Sequence, residues 1–168
     1  MTQTSQSKKQ PPNRSLLRKQ VSRLVAIQAW YARHYSETEL AETVSGWVDE
    51  LIEANSAAEA AGDSELLANV PPERALLHTL LESALEHENA TDELIETSMG
   101  ERWKVERTGP LLMAILHIAS AELHARPEKK EAVIIHEYVT LASEFYDESE
   151  VGFVNGILAK MTTRIRHG

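Results

Sequence analysis

Pro110-Leu-Leu-Met-Ala-Ile-Leu-His-Ile-Ala-Ser-Ala-Glu-Leu-His-Ala125 is a strongly apolar stretch in the second half of the sequence. Its leucines, isoleucines and alanines recur at helical spacing around most of the circumference of an ideal wheel. A helix that is apolar on nearly all sides is surrounded by other helices. Pro127 cannot continue such a helix. The stretch therefore predicts a central helix over about residues 109–125.

Apolar residues recur at helical spacing on both sides of this stretch as well. Two prolines at 71–72 suit the first turn of a helix, and Gly100 suits the end of one. No segment alternates apolar and polar residues with the period of a strand. We therefore predict an all-α protein, a single bundle-like domain with about seven helices. Besides the central helix, the predicted helices cover about 16–34, 37–54, 71–88, 92–99, 130–145 and 151–166.

The length and composition indicate one domain with a tail. A chain of 168 residues is long enough for one hydrophobic core. Residues 1–13 are basic, rich in Gln and Ser, and predict a disordered tail, which leaves 14–168 as the helical domain. Residues 55–70 contain Gly62 and Asp63 and predict a mobile connection within it.

The charges are strongly segregated along the chain. All 26 acidic residues lie between Glu37 and Glu150, while ten of the 17 basic residues lie outside those limits. The two ends therefore carry +10 and the middle carries −19 of a net charge of −9. Local patches of cations bind phosphates whatever the net charge. The ends thus favour a nucleic-acid partner, and the middle favours a basic partner.

The first predicted helix supplies most of the N-terminal charge. Helical spacing puts its apolar stripe on Leu17, Val21, Leu24, Gln28 and Tyr31. That placement predicts that Arg18, Lys19 and Arg23 point outward as a basic face.

Several classes of function are disfavoured by what the sequence lacks. With no Cys, it has no disulfide, thiolate metal ligand or Cys nucleophile, which fits a reducing cytoplasm. It has no glycine-rich phosphate loop and no HExxH motif, and its seven His are scattered. No apolar run approaches the ~18 residues of a membrane span. We predict a cytoplasmic protein that is not an enzyme and that uses neither a metal nor a cofactor.

The last predicted helix has two interpretations. Phe153, Lys160 and Arg164 share a stripe beside the apolar one. A ring aligned with two cations suits single-stranded RNA, because the ring stacks on a base while the cations hold phosphates. Alternatively, Phe153 packs on a neighbouring helix and the cations stabilise the C-terminal turn through the helix dipole.

Four segments resemble one known family. Residues 132–145 (Ala-Val-Ile-Ile-His-Glu-Tyr-Val-Thr-Leu-Ala-Ser-Glu-Phe) and 153–160 (Phe-Val-Asn-Gly-Ile-Leu-Ala-Lys) closely resemble the C-terminal signature of NusB, the bacterial transcription antitermination factors. Residues 18–31 resemble the basic first helix of that family. Trp103 followed by 115–123 resembles its central helix.

The resemblance implies a fold, partners and candidate residues. The family is all-helical, with two packed three-helix subdomains, and binds the boxA segment of nascent RNA as a heterodimer with the ribosomal protein NusE in the RNA polymerase antitermination complex. The resemblance and the charge pattern together give the candidate RNA-binding residues Arg14, Arg18, Lys19, Arg23, Tyr31, Phe153, Lys160 and Arg164. The candidate residues for binding NusE are Glu106, Tyr146, Asp147, Glu148 and Ser149.

The sequence departs from the family's usual residues at His117, His136 and Ser143. A clade variant and a diverged paralogue both explain these departures. Two other functions stay open. One is a self-associating or purely protein-binding helical module, including a homodimer. The other is a fragment of an RNA methyltransferase with a NusB-like domain, although the chain has no Cys for that chemistry.

Overall fold

A computed structural model describes residues 13–35, 41–60, 70–100 and 108–168. These residues form helices joined by turns and contain no strand, which confirms the all-α prediction. Within the described ranges the helices are α1 (Arg14–Tyr35), α2 (Val44–Ala60), α3 (Arg74–Glu86), α4 (Glu88–Ser98), α5 (Pro110–Ala125), α6 (Glu131–Ser143) and α7 (Glu148–Arg166).

Local chemistry sets several of the helix ends. Gly109 precedes α5 with φ 76° and ψ 154°, a conformation that only glycine adopts readily, and Pro110 begins the helix. At the start of α2, the Thr43 hydroxyl accepts a hydrogen bond from the Gly46 N–H at 3.0 Å. Asp147 and Glu150 form a reciprocal capping box at the start of α7.

The central helix is α5, as its sequence predicts. It packs against α1 and α3 on one side and against α6 and α7 on the other. The helix α2 packs on α3, and α4 packs against α5 and α7. The bundle therefore has two groups of helices that meet at α5. The buried residues of α5 are Leu112, Ala114, Ile115, Leu116, His117, Ile118, Ala119, Ser120, Ala121, Glu122 and Leu123.

Three details differ from the sequence prediction. Residues 41–43 are not helical, so α2 begins at Val44 and not near Glu37. It then continues to Ala60, so residues 55–60 are helix and not part of a mobile connection. Residues 61–69 of that predicted connection, and 1–12 of the predicted tail, lie outside the described residues. The helix α4 begins at Glu88 and not near residue 92, and only His87 separates it from α3.

The buried face of α1 is also rotated from the predicted stripe. Val21 of the predicted stripe is buried, but the rest of the core side is carried by Val25, Ala26, Ile27, Ala29 and Trp30. Gln28 and Tyr31, which the spacing puts on the buried stripe, are exposed. Among the described residues, no helix is both long enough and apolar enough to cross a membrane.

Candidate nucleic-acid interface

Arg23 is buried, and the prediction that it belongs to an exposed basic face is wrong. Its side chain is 2% exposed, and the side chain of Glu122 in α5 is fully buried. The guanidinium donates two hydrogen bonds to that carboxylate, from Nε at 2.7 Å and from Nη2 at 2.9 Å. Because α1 packs against both α3 and α5, most of its circumference faces protein. A cation on that side requires a charged partner.

Glu122 is the centre of a buried polar network. It also accepts hydrogen bonds from the Tyr138 hydroxyl at 2.8 Å and from Arg126 Nη1 at 3.2 Å. Burial alone would raise the pKa of Glu122, but the hydrogen bonds and charge of Arg23, with help from Tyr138 and Arg126, hold this pKa below its ordinary value. Glu122 of α5 therefore links α1, through Arg23, and α6, through Tyr138.

The other basic residues at the start of α1 remain at the surface. Arg14 is exposed, and Arg18 and Lys19 are half-buried. The Arg18 guanidinium donates to the backbone carbonyls of Pro71 at 3.3 Å and Pro72 at 3.2 Å. Because these partners are uncharged, the positive charge of Arg18 is retained. The first half of α1 thus presents three cations instead of the predicted four.

Tyr31 lies in a groove with two further aromatic side chains. Tyr31 is 38% exposed and Phe145 is 47% exposed. The groove has a volume of about 340 Å³, and we call it the aromatic groove; its lining residues are Leu24, Ile27, Gln28, Tyr31, Gly109, Pro110, Leu111, Phe145 and Tyr146. Burial and the charge of Glu150 raise the pKa of Tyr146, so its hydroxyl stays protonated. The sequence assigned Tyr31 and Tyr146 to different partners, and the structure places them in one groove.

The candidate residues of α7 lie on a different part of the surface. Phe153 is half-buried and packs against the core, as the alternative interpretation of this helix expected. Lys160 and Arg164 are exposed. Arg164 donates a hydrogen bond to the Thr97 hydroxyl, so this stripe adjoins α4 and not α1.

Of the candidate partner-binding residues, Asp147, Glu148 and Ser149 are exposed at the start of α7, and Tyr146 is half-buried. Asp147 has a structural task as well, because its carboxylate caps the helix. Glu106 lies outside the described residues.

One basic residue from the acidic middle of the chain, Arg126, lies beside the N-terminal charge. Arg126 and Lys129 occupy the turn between α5 and α6, and Arg126 lines a groove together with Lys19. Nothing in the local sequence signals this meeting, because it depends on how α1 packs beside the end of α5. In the part of the chain that the structure describes, no group of three or more His, Asp or Glu residues could hold a metal ion.

A helical framework that carries exposed cations and exposed aromatic rings has the features of an RNA-binding protein. Comparisons with known proteins narrow that class. A model of the NusB family matches residues 20–163. The transcription antitermination protein NusB of Brucella ovis is 33% identical over 146 residues, which covers 87% of this chain and 81% of the relative. That of Hyphomonas neptunium is 28% identical over 145 residues, with 86% and 89% covered.

The chain therefore belongs to the NusB family. This membership confirms the prediction of an RNA-binding transcription antitermination factor that is not an enzyme. The fold agrees with solved structures. A NusB structure from T. maritima matches with a TM-score of 0.63 at 20% identity, covering 86% of this chain and 90% of that one. A chain in a crystal structure of a plectonemic RNA supercoil matches with a TM-score of 0.61 at 21% identity, covering 88% and 95%.

Proposed function

We propose that this chain binds a boxA-like single-stranded segment of nascent ribosomal RNA in the cytoplasm, pairs there with NusE, and so helps to assemble the RNA polymerase antitermination complex. The observation that carries the proposal is the position of Tyr31. Its exposed ring stands in the aromatic groove, on the same helix that presents Arg14, Arg18 and Lys19.

The cations at the start of α1 suit the phosphate of a nucleotide, and the ring of Tyr31 near the end of α1 suits its base. Cations bind backbone phosphates regardless of sequence and make the affinity dependent on salt. An exposed aromatic ring stacks on an unpaired base, which contributes about 1–3 kcal/mol per base. Gln28, exposed on the wall of the aromatic groove, has an amide that both donates and accepts hydrogen bonds with a base edge. Single-stranded RNA offers such bases, whereas a duplex does not.

Substitution of Tyr31 tests this proposal. Tyr31→Ala removes the ring from the groove and should weaken the binding of a boxA-like RNA by about 5- to 150-fold, which corresponds to 1–3 kcal/mol. Tyr31→Phe is the matched control, because it keeps the ring, and it should bind nearly as the wild type does. The slope of affinity against salt should be the same for all three proteins, since the cations that bind phosphates are unchanged. Equal affinities of the wild type and Tyr31→Ala would contradict the proposed role of the groove.

The proposed pairing with NusE is supported by charge. All 26 acidic residues lie in the middle of the chain, and Asp147 and Glu148 are exposed beside the aromatic groove residue Tyr146. A basic ribosomal protein is the complementary partner for such a surface.

The exposed rings of Tyr31 and Phe145 favour one competing function, a homodimer that covers the aromatic groove. Such a dimer would compete with RNA for the same rings. Measuring the molecular mass in solution at several protein concentrations, with and without RNA, distinguishes the two: RNA should shift a groove-covering dimer towards monomer.

A further inference from the structure

A second groove, of about 150 Å³, adjoins the aromatic groove, and Leu24 and Phe145 line both of them. It runs between α1 and α6, and we call it the acidic groove. Its walls include Gln20 and Leu24 from α1 and, from the other side, Glu137, Leu141, Glu144 and Phe145. Both of the ionisable side chains that line it are carboxylates.

Helical spacing builds each wall of the acidic groove. Gln20 and Leu24 lie one turn apart on α1. Glu137 and Glu144 are separated by seven positions, which is two turns, so they lie on one face with Leu141 between them. The two leucines are half-buried, and the ring of Phe145 is exposed at the edge. The groove is therefore apolar along its middle and carries a carboxylate towards each end.

The carboxylates of the acidic groove are available to a ligand. Glu144 is exposed. Glu137 Oε2 lies 3.7 Å from Arg23 Nη1, which is too long for a hydrogen bond, and Arg23 donates its two short hydrogen bonds to Glu122. Because Glu122 balances the charge of Arg23, the groove keeps the negative charge of Glu137 and Glu144.

An arginine side chain combines the properties that this groove complements. Its methylene groups pack on apolar surface, here that of Leu24 and Leu141, while its charged end stays polar. Its planar guanidinium stacks on an aromatic ring such as that of Phe145 and donates hydrogen bonds to carboxylates. The phosphates of RNA, in contrast, carry the charge that two carboxylates repel.

We propose that the acidic groove binds an arginine side chain of a protein partner. This inference goes beyond the proposed RNA binding, which uses the aromatic groove and the cations of α1. Because Phe145 lines both grooves, an RNA base and the arginine of the partner occupy adjoining sites. The cleft along α1 therefore has one side for RNA and one for a basic protein surface.

Two matched peptides test the inference. One is Gly-Gly-Arg-Gly-Gly with both ends blocked, and the other has citrulline in place of the arginine, which keeps the shape and removes the charge. Each is titrated into the full chain with isotopically labelled methyl groups. The arginine peptide should shift the methyl resonances of Leu24, Leu141 and Thr140, which also lines the groove, until they saturate. The citrulline peptide should leave them unchanged.

Two glutamate substitutions separate this site from general attraction to an acidic protein. Glu144→Gln should weaken the binding of the arginine peptide by about two- to fivefold, the contribution of an exposed ion pair. Glu128→Gln is the matched control, because it changes the net charge equally at an exposed position outside the groove, and it should leave the affinity unchanged. Both variants should fold, since both positions are exposed.

Equal weakening by the two substitutions, or equal shifts with both peptides, would overturn the arginine site. The affinity for a uridine homopolymer provides a further check: Glu144→Gln should not lower it, and a weaker RNA complex would assign the groove to RNA instead. If the wild type binds no RNA, the proposed function fails while the peptide titration still decides this inference.

Discussion

Arg23 and Glu122 show why a residue's type can mislead when its surroundings are unknown. A basic residue in an amphipathic helix is most often solvated, and nothing near Arg23 in the sequence indicates a partner 99 positions away. The structure pairs the two in the core, where each charge is stable only because of the other. The exposure of Arg14 and of Glu148 could be predicted from the sequence, because it does not depend on how the helices pack.

Removing one member of this pair should strongly destabilise the fold. Glu122→Gln leaves the buried guanidinium of Arg23 without a carboxylate, and we expect a loss of about 3–5 kcal/mol in the free energy of unfolding. Urea denaturation followed by circular dichroism measures this loss. Glu128→Gln, at an exposed position, should change the free energy by less than about 0.5 kcal/mol. A loss below about 1 kcal/mol for Glu122→Gln would show that the pair is not confined in the core.

Two histidines should make stability depend on pH near neutrality. Burial lowers the pKa of His117, although a 2.8 Å hydrogen bond to Asp92 opposes that shift. Burial lowers the pKa of His124, and the charge of His87, whose ring stacks on that of His124 at 4.0 Å, lowers it further. When the pH falls through the unfolded pKa of about 6.5, the unfolded chain takes up protons that the folded chain does not, so stability decreases as the pH is lowered.

The free energy of unfolding should therefore decrease as the pH is lowered from 7.5 through 6.5 to 5.5. His117→Gln and His124→Gln should each flatten this dependence, and the double variant should flatten it further. Denaturation curves at these three pH values provide the check. A dependence as steep in the double variant as in the wild type would assign the effect to other groups.

Among the helices, α5 was the easiest to predict and α1 the hardest to orient. An element that is apolar on nearly all sides has no alternative to a central position. In α1 the protein contacts come from α3 and α5 on different sides, so an arginine and a serine, Arg23 and Ser22, are buried among the apolar residues. Periodicity alone therefore predicts the helix but not its buried face, and it misplaces Gln28 and Tyr31.

The entry into α5 depends on one glycine. A Cβ at Gly109 would meet no atom within 4 Å, but φ 76° with ψ 154° is strained for any other residue. We expect Gly109→Ala to lower the free energy of unfolding by about 1–3 kcal/mol. Gly152→Ala is the matched control, because Gly152 lies within α7 with equal space, and it should raise stability by up to about 1 kcal/mol. Equal effects of the two substitutions in denaturant would contradict this explanation of the turn.

At the scale of the whole molecule, the charge distribution is the feature that sequence predicted best and structure refined most. The segregation of charge needs no coordinates. Coordinates are needed to see that both cationic ends approach the α5–α6 turn, because the packing of α1 and the capping of α5 by Arg166 bring them there. The stripe on α7 adjoins α4 instead, so the predicted RNA-binding residues do not form one continuous face.

A net charge of −9 limits what the chain achieves with RNA alone. Its cationic surface is small, and the surrounding acidic surface repels phosphates at long range. A basic partner on the acidic surface would offset that repulsion and add phosphate contacts of its own. The pair should therefore bind RNA more tightly than either protein alone, and by linkage RNA must tighten the pair by the same factor.

The most direct test measures both legs of that cycle at one physiological salt concentration: the affinity for a boxA-like RNA with and without NusE, and the affinity for NusE with and without that RNA. We predict that both affinities rise and that the two enhancement factors agree. No enhancement in either leg, with both proteins shown to be folded, would contradict the role of this chain as an antitermination factor that assembles with NusE on RNA.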